Sequence, residues 1–153
     1  MDDGKRLVTT SDDRKVLIWD YGIPVVVKHV AEPHMHSIPA IGVHPTGSHF
    51  VGQSMDNQIV CFEGRGRLKY CPKRVWKGHM CSGYAIKPSF SADGSYLMSG
   101  DATGKLFFWD WKTMKMYRSF KAHDGVCMDS LWHPIQPSRV ISAGWDGVIK
   151  LWD

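Results

Sequence analysis

A histidine, a serine and an aspartate near the end of the chain have the residue types of a hydrolytic site. His123, Ser142 and Asp146 are followed by Trp152. In a Ser–His–Asp triad the histidine takes the serine proton and the aspartate orients the histidine. An enzyme needs one such site, so a repeat of the same set elsewhere in the chain would argue against catalysis.

The set does recur, at a regular spacing. Three segments end in Trp-Asp and a fourth in Phe-Glu, and their closing acids are 43, 47 and 43 residues apart. The closing pairs are Trp19-Asp20, Phe62-Glu63, Trp109-Asp110 and Trp152-Asp153. Earlier positions in each unit also correspond: Asp13, Asp56, Thr103 and Asp146; then Thr9, Gly52, Ser99 and Ser142; then His34, His79 and His123 in the last three units. The polar residues therefore belong to a repeated structural unit, and we predict no catalytic residue.

A period of about 40–45 residues that closes on Trp-Asp is typical of WD40 repeats, each of which forms one four-stranded blade of a β-propeller. Short β-prone runs separated by Asp-Gly-like turns agree, and no stretch has a helical period. We predict an all-β fold, a partial WD40 β-propeller with about three and a half four-stranded blades of a seven-bladed ring. The WD40 repeat region spans 1–153, with a partial blade at 1–30, blades at 31–77 and 78–121, and a partial blade at 122–153.

The incomplete count of blades leaves three interpretations. The first is a part of a longer propeller whose N-terminal blades lie outside this sequence. The second is an incomplete gene model, and the third is a half-ring that assembles with a second copy. We expect the first, because closure by two half-rings requires each junction to supply a missing strand.

In the WD40 family the repeated polar positions form a buried network. The aspartate accepts a hydrogen bond from the histidine, the histidine reaches the strand hydroxyl, and the tryptophan N–H donates to that hydroxyl. We therefore expect a structural role for Thr9, Asp13, Trp19, His34, Asp56, His79, Ser99, Trp109, His123, Ser142, Asp146 and Trp152. The second unit has Gly52 and Phe62 in place of the hydroxyl and tryptophan, the third has Thr103 in place of aspartate, and the first has no upstream histidine. We expect apolar packing to hold those three units.

Neither a metal nor a cofactor is predicted. The four cysteines, Cys61, Cys71, Cys81 and Cys127, form no Cys-x-x-Cys pair. We interpret them as reduced thiols of an intracellular protein, with two disulfides as the alternative. The pair His34 and His36 has no carboxylate or thiol at ligand spacing. No apolar run approaches the roughly 18–20 residues of a membrane span, so no membrane partner is expected.

Two surfaces are candidates for partner binding. Six basic residues stand between positions 64 and 78 without an acid: Arg65, Arg67, Lys69, Lys73, Arg74 and Lys77. Around an outermost strand they would contact RNA or an acidic partner through charge, or form a solvated edge. Trp145, with its counterparts Asp12 and Met55, stands at a hairpin turn on the face where WD40 rings often bind partners. The alternative for Trp145 is local packing beside its hairpin.

Several motifs are more specific than the repeat. They include Ala31-Glu32-Pro33 followed by Met35-His36-Ser37, the run from Gln53 to Ile59, and Gly144-Trp145-Asp146-Gly147. With these motifs the chain resembles the pre-mRNA-processing factor 17 family over nearly its whole length. The resemblance implies a non-catalytic scaffold of the spliceosome, located in the nucleus and acting around the second catalytic step. It further implies spliceosomal proteins as partners, and the basic residues predict a contact with snRNA or pre-mRNA. The alternative is a generic WD40 adaptor, such as a ubiquitin-ligase substrate receptor.

Overall fold

The chain folds into antiparallel sheets that follow one another along the sequence. The computed structural model describes residues 4–153, and within them there are four sheets with three, four, four and three strands. The first sheet holds β1 (Arg6–Thr10), β2 (Val16–Asp20) and β3 (Val26–Val30). The second holds β4 (Ala40–Val43), β5 (His49–Ser54), β6 (Gln58–Glu63) and β7 (Tyr70–Lys77). The third holds β8 (Ser89–Phe90), β9 (Tyr96–Gly100), β10 (Lys105–Asp110) and β11 (Met116–Lys121). The fourth holds β12 (Cys127–Trp132), β13 (Val140–Gly144) and β14 (Ile149–Trp152).

Each sheet has the same central hairpin. Its turn contains a residue with positive φ six positions before the closing acid: Arg14 (63°), Asn57 (63°), Gly104 (83°) and Gly147 (78°). Glycine and asparagine tolerate this conformation best, because most side chains clash with the following carbonyl there. The recurrence of one backbone conformation at one register explains why four segments of different sequence form the same hairpin.

Apolar side chains fill the spaces between consecutive sheets. Between the first and second sheets lie Val16, Val30, Met35, Ile38, Phe50, Val60 and Phe62. Between the second and third lie Val51, Ile59, Cys61, Trp76, Phe90, Leu97, Phe107, Trp109 and Trp111. Between the third and fourth lie Met98, Leu106, Phe108, Ala122, Cys127 and Val140. The core is therefore a series of inter-sheet layers, in which each sheet packs on its neighbours in sequence.

Strands β4, β8 and β12 contact one another in succession, and each is the first strand of its sheet. A row of adjacent first strands, with the later strands radiating from it, is the arrangement of propeller blades. The predicted fold class, an all-β partial β-propeller, is confirmed. Over residues 4–153 there is no helix that could span a membrane.

Candidate functional site

The fourth sheet contains a continuous hydrogen-bonded network. His123 Nδ1 lies 3.0 Å from both carboxylate oxygens of Asp146. His123 Nε2 lies 2.7 Å from Ser142 Oγ, and the Trp152 indole N–H donates to the same hydroxyl over 2.8 Å. Asp146 also accepts from the backbone N–H of Asp124 at 3.1 Å. The loop before β12 is thereby tied to the β13–β14 hairpin.

Burial separates this network from a catalytic triad. Ser142 is 0% exposed and the His123 side chain is 0% exposed, so a substrate cannot reach the hydroxyl. Burial raises the pKa of the Asp146 carboxyl, but hydrogen bonds from the backbone of Asp124 and from His123 lower it by more, and the net direction is downward. The carboxylate is therefore held ionised beside the imidazole, as a structural tie requires.

The first sheet contains a smaller hydrogen-bonded network at the corresponding positions. The Trp19 indole N–H donates to Thr9 Oγ1 over 2.9 Å. Asp13 accepts from the Ser11 hydroxyl and from the backbone N–H of Lys15, and its pKa is lowered by these contacts, the Ser11 bond first. Thr9 and Asp13 are exposed, so the pairs of this sheet are closer to solvent than those of the fourth.

The third sheet departs from the expected network. His79 is hydrogen-bonded to Gln53 and not to Ser99: its Nε2 lies 2.8 Å and 3.1 Å from the carboxamide atoms of Gln53 on β5. The Ser99 hydroxyl donates to the carbonyl of Gly100, and the Trp109 indole N–H donates to the carbonyl of Lys77 over 3.0 Å. This corrects the assignment of His79, Ser99 and Trp109 to one network. The physical reason is that both rings bond to the second sheet, and so join neighbouring sheets.

A residue that sequence reasoning missed replaces the turn aspartate of the third sheet. Asp101 Oδ1 accepts from the backbone N–H of Thr103 at 2.9 Å, from the Thr103 hydroxyl at 2.8 Å and from the backbone N–H of Lys105 at 2.8 Å. An aspartate that accepts from the backbone two residues ahead forms an Asx-turn. The sequence could have indicated this residue. Thr103 stands where the other repeats have aspartate, and Asp101 is the aspartate two positions before it.

The second sheet also departs from the expectation. His34 is exposed and its ring lies 5.7 Å from that of Tyr70. The imidazole that approaches Asp56 is that of His36, whose Nε2 lies 3.9 Å from the carboxylate. Met35, between the two histidines, is 5% exposed within the inter-sheet core. The assignment of His34 and Asp56 to one network is therefore corrected. The reason is that a buried methionine at position 35 leaves both flanking histidines exposed.

Apolar contacts fill the space of the missing network in this sheet. A Cβ at Gly52 would collide with the side chain of Ile38, so glycine there makes room for isoleucine. Phe62, at the tryptophan position, stacks on Phe50 with ring centroids 4.9 Å apart. Apolar packing thus replaces the hydrogen-bonded network in this sheet. Both positions that would form the network, Gly52 and Phe62, take part in this packing.

The hairpin turns and the loops that precede the inner strands form one end of the molecule. The Trp145 N–H donates to Val126 O at 2.9 Å, and the Ala102 N–H donates to Met80 O at 2.7 Å. The Met55 N–H donates to the carbonyl of Ser37 at 3.1 Å. Each entry loop is thus bonded to a hairpin turn, which places the turns and loops on a common surface.

Exposed aromatic and thioether side chains gather on this surface. Trp145 is 63% exposed, and its ring meets the edge of Tyr84 at 4.8 Å, with an interplanar angle of 81°. Met80 is 49% exposed and Met55 is 36% exposed. Asp12 is exposed on the corresponding turn of the first sheet. We call Trp145, Tyr84, Met80 and Met55 the turn surface; Tyr84 and Met80 are members that the sequence did not point to.

The basic residues surround β7, the outermost strand of the second sheet. Arg67, Lys69, Lys73 and Lys77 are exposed, and none of these four forms an ion pair with an acid in residues 4–153. Arg65 is exposed and its guanidinium lies over the turn at Gly47. These side chains form a positively charged rim.

Arg74 has a different role from its neighbours. Its guanidinium carbon lies 3.9 Å from the ring centroid of Trp111 and it donates to the Trp111 carbonyl over 2.7 Å. Trp111 in turn stacks on Trp76 at 4.9 Å. Arg74 therefore joins the second and third sheets, and this geometry corrects its placement among the side chains that reach a partner.

One group of side chains among residues 4–153 has the composition of a metal site. His49, Cys61 and Cys71 bring their donor atoms within 4.8 Å of one another. They lie at the end of the second sheet opposite Met55, because His49 begins β5 and Ser54 ends it beside the turn. This group is separate from the turn surface.

Comparisons with known proteins agree with the repeat geometry. The family WD40, described as "WD domain, G-beta repeat", matches residues 1–20, 70–110 and 114–153, more than half of the chain. The unmatched part includes Gly52 and Phe62, where the second unit departs from the pattern.

Curated proteins are similar over almost the whole chain. Pre-mRNA-processing factor 17 from Homo sapiens is 52% identical over 153 residues, all of this chain and 26% of the human protein. Its namesake from Saccharomyces cerevisiae is 38% identical over 152 residues, 99% of this chain and 33% of the yeast protein. WD repeat-containing protein 1 from Bos taurus is 30% identical over 150 residues, 97% of this chain and 24% of that protein. The chain thus spans about a quarter to a third of the length of these relatives.

Proposed function

The chain belongs to the WD40 repeat family, and from this premise we propose that it is a non-catalytic scaffold in pre-mRNA splicing. We further propose that it acts in the nucleus, within the spliceosome, around the second catalytic step. The observation that carries the splicing assignment is the 52% identity over all 153 residues to a protein named pre-mRNA-processing factor 17. A WD40 fold alone would not choose among functions, because one fold supports many.

The burial of His123 and Ser142 is compatible with a scaffold. The histidine of the fourth sheet is hydrogen-bonded to both the aspartate and the serine, and the Ser142 hydroxyl also accepts from Trp152. Asp146 also accepts from the backbone N–H groups of Asp124 and Val148. A protein of this kind contributes binding surfaces, which hold other molecules in position.

The turn surface is the proposed site for a spliceosomal protein. Aromatic and methionine side chains are enriched at interfaces, because they provide large contact areas with few rotatable bonds or with adaptable shape. Trp145 is exposed over 63% of its area while Tyr84 supports its ring from the side. An aromatic anchor fixed in this way loses little conformational freedom when a partner covers it.

The positively charged rim is the proposed site for snRNA or pre-mRNA. Lys69, Lys73 and Lys77 have no acidic partner in the described part of the chain, so their charges are available to phosphate groups. Contacts of this type act on the backbone of a nucleic acid and give a strong dependence on salt. They would strengthen association without reading a sequence.

The test is immunoprecipitation of the tagged protein from nuclear extract, with the variants Trp145→Ala and Lys69→Gln/Lys73→Gln/Lys77→Gln beside the wild type. We expect U2, U5 and U6 RNAs to co-purify with the wild type and to be reduced several-fold with Trp145→Ala. The lysine variant should bind less RNA and show a weaker salt dependence. Tyr21→Ala is the matched control, since Tyr21 is 75% exposed but lies on the β2–β3 turn of the first sheet.

Splicing intermediates test the proposed step. If the protein acts around the second step, its depletion should leave the cleaved first exon and the lariat intermediate, and added protein should restore ligation. Accumulation of uncleaved precursor alone would contradict the second-step assignment. Recovery of ubiquitin-ligase subunits without spliceosomal RNA would favour the adaptor alternative.

A further inference from the structure

The second sheet contains a group of metal-donor side chains that the splicing role does not use. His49 stands on β5, Cys61 on β6 and Cys71 on β7, and the donor atoms of all three lie within 4.8 Å of one another. We propose that His49, Cys61 and Cys71 bind one thiophilic d10 metal ion, with Cu(I) preferred over Zn²⁺. The proposal is independent of the splicing role.

A bulge in the sheet brings the two sulfurs together. Val60 pairs with Val75 and Phe62 pairs with Tyr70, so that Cys61 alone faces the segment 71–74 of β7. Bulges re-aim side chains and are frequent beside functional sites. Pro72 lies within this segment, where its missing N–H costs no ladder hydrogen bond. The extra residues of β7 allow Cys71 to approach Cys61 from the neighbouring strand.

The spacing of the donors fits a metal site before metal is bound. Metal–sulfur bonds of about 2.3 Å and metal–nitrogen bonds of about 2.0 Å place ligand atoms up to roughly 4 Å apart. Donor atoms within 4.8 Å of one another therefore need only small side-chain rotations to close on an ion. Cys61 is buried, whereas His49 and Cys71 are half-buried, which leaves a path for an ion from solvent.

The imidazole is prepared to act as a ligand. A metal-binding histidine coordinates through one ring nitrogen, while a hydrogen bond at the other nitrogen fixes the orientation of the ring. His49 Nδ1 lies 3.0 Å from Ser48 Oγ, a hydrogen bond that metal at Nε2 would leave in place.

The choice of ion follows from softness and charge. Thiolate ligands favour Cu(I) and Zn²⁺ over hard cations. Each thiol gives its proton to solvent when its sulfur–metal bond forms, and no electron is transferred. Two thiolates with Cu(I) carry a net charge of −1, whereas two thiolates with Zn²⁺ are neutral. The Arg74 guanidinium lies 3.9 Å from the Trp111 ring, and that ring lies 5.6 Å from the imidazole of His49. A positive charge at this position would stabilise the negatively charged Cu(I) site more than the neutral Zn²⁺ site.

The experiment titrates reduced, oxygen-free protein with Cu(I) against a chromophoric Cu(I) chelator, and separately with Zn²⁺ against a zinc chelator. Native mass spectrometry then counts the ions bound and the protons lost. We expect one ion per chain with loss of two protons. The variants Cys71→Ala and His49→Gln should weaken binding by about 100-fold or more, since even changes around a ligand shell cost 10–100-fold.

Cys127→Ala is the matched control, because Cys127 is a buried thiol in the core between the third and fourth sheets. It should keep the wild-type affinity, and circular dichroism of the metal-free variants should show that each remains folded. If a variant does not fold, protection of Cys71 from alkylation by bound Cu(I) in the wild type replaces it. Failure of both ions to bind, or binding that is unchanged in Cys71→Ala and His49→Gln, would overturn the site. Tighter binding of Zn²⁺ than of Cu(I) would overturn the proposed preference.

Discussion

His123 Nδ1 lies 3.0 Å from the carboxylate of Asp146, and this contact closes a chain of hydrogen bonds that passes through Ser142 to Trp152. The first prediction concerns the centre of the chain. Ser142→Ala removes the acceptor of the half-buried Trp152 indole and the partner of the buried His123 imidazole, and so leaves both groups unpaired. We expect it to lower the free energy of unfolding by about 2–3 kcal/mol.

Urea unfolding followed by tryptophan fluorescence measures this loss. Thr9→Ala is the matched control, because Thr9 accepts the same bond from Trp19 but is exposed to water. It should cost less than about 1 kcal/mol, since water can take the place of the lost partner. Equal losses in the two variants would show that burial does not set the value of the network.

The second prediction concerns pH. Burial lowers the pKa of His79 to about 4, against about 6.5 in an unfolded chain. Between these values the unfolded chain binds more protons, so the free energy of unfolding should fall as pH decreases from about 6.5 to 4. The contribution of His79 should be fully present above about pH 6.5, and its loss at the acid end should reach at most roughly 3 kcal/mol.

Urea titrations at several pH values between 7 and 4 check the prediction. His79→Gln should reduce the slope of stability against pH, because glutamine does not titrate. His29→Gln is the control, since His29 is exposed on β3. An unchanged slope in His79→Gln would mean that other groups cause the acid destabilisation.

The third prediction separates two adjacent basic residues of β7. Arg74→Gln loses the contact with the Trp111 ring and a charged hydrogen bond to the Trp111 carbonyl, and should cost about 1–2 kcal/mol of stability. Lys73→Gln should change the stability by less than about 0.5 kcal/mol, because Lys73 is exposed. Thermal unfolding monitored by circular dichroism compares them. A larger loss for Lys73→Gln than for Arg74→Gln would contradict the assigned roles.

The fourth prediction tests the contact between the third and fourth sheets. A Cβ at Gly100 would collide with the backbone carbonyl of Cys127 on β12, so Gly100→Ala must push the sheets apart. We expect a loss of about 3 kcal/mol or more in urea unfolding, since overpacking against backbone has no flexible neighbour to absorb it. Gly66→Ala is the control: its Cβ would enter open space, and only the positive φ of 67° adds a cost, about 1–2 kcal/mol. A smaller loss for Gly100→Ala than for Gly66→Ala would mean that the two sheets can move apart at little cost in stability.

Part of the candidate site follows from the repeat alone. His123, Ser142, Asp146 and Trp152 are brought together at the positions that the spacing indicates, because a hairpin of fixed register sets their separation. Trp145 lies exposed beside the turn for the same reason.

The rest of the site was not predictable in this way. Gln53 bonds to His79 from the neighbouring sheet, and the buried Met35 decides which histidine approaches Asp56. Arg74 is not part of the charged rim, because its guanidinium contacts the ring face and the carbonyl of Trp111. These contacts join residues of different repeats, so no spacing within one repeat specifies them.

The sequence by itself determined the all-β class and the repeat of four-stranded units, because alternation and turn residues act between near neighbours in the chain. Only the tertiary structure decided which polar side chains of different sheets meet. The bulge opposite Cys61 that draws Cys71 towards it, and the convergence of His49 on the pair, depend on how three strands pair across one sheet. Such pairings are set by the packing of whole sheets against one another, since burial of their apolar faces supplies the driving force.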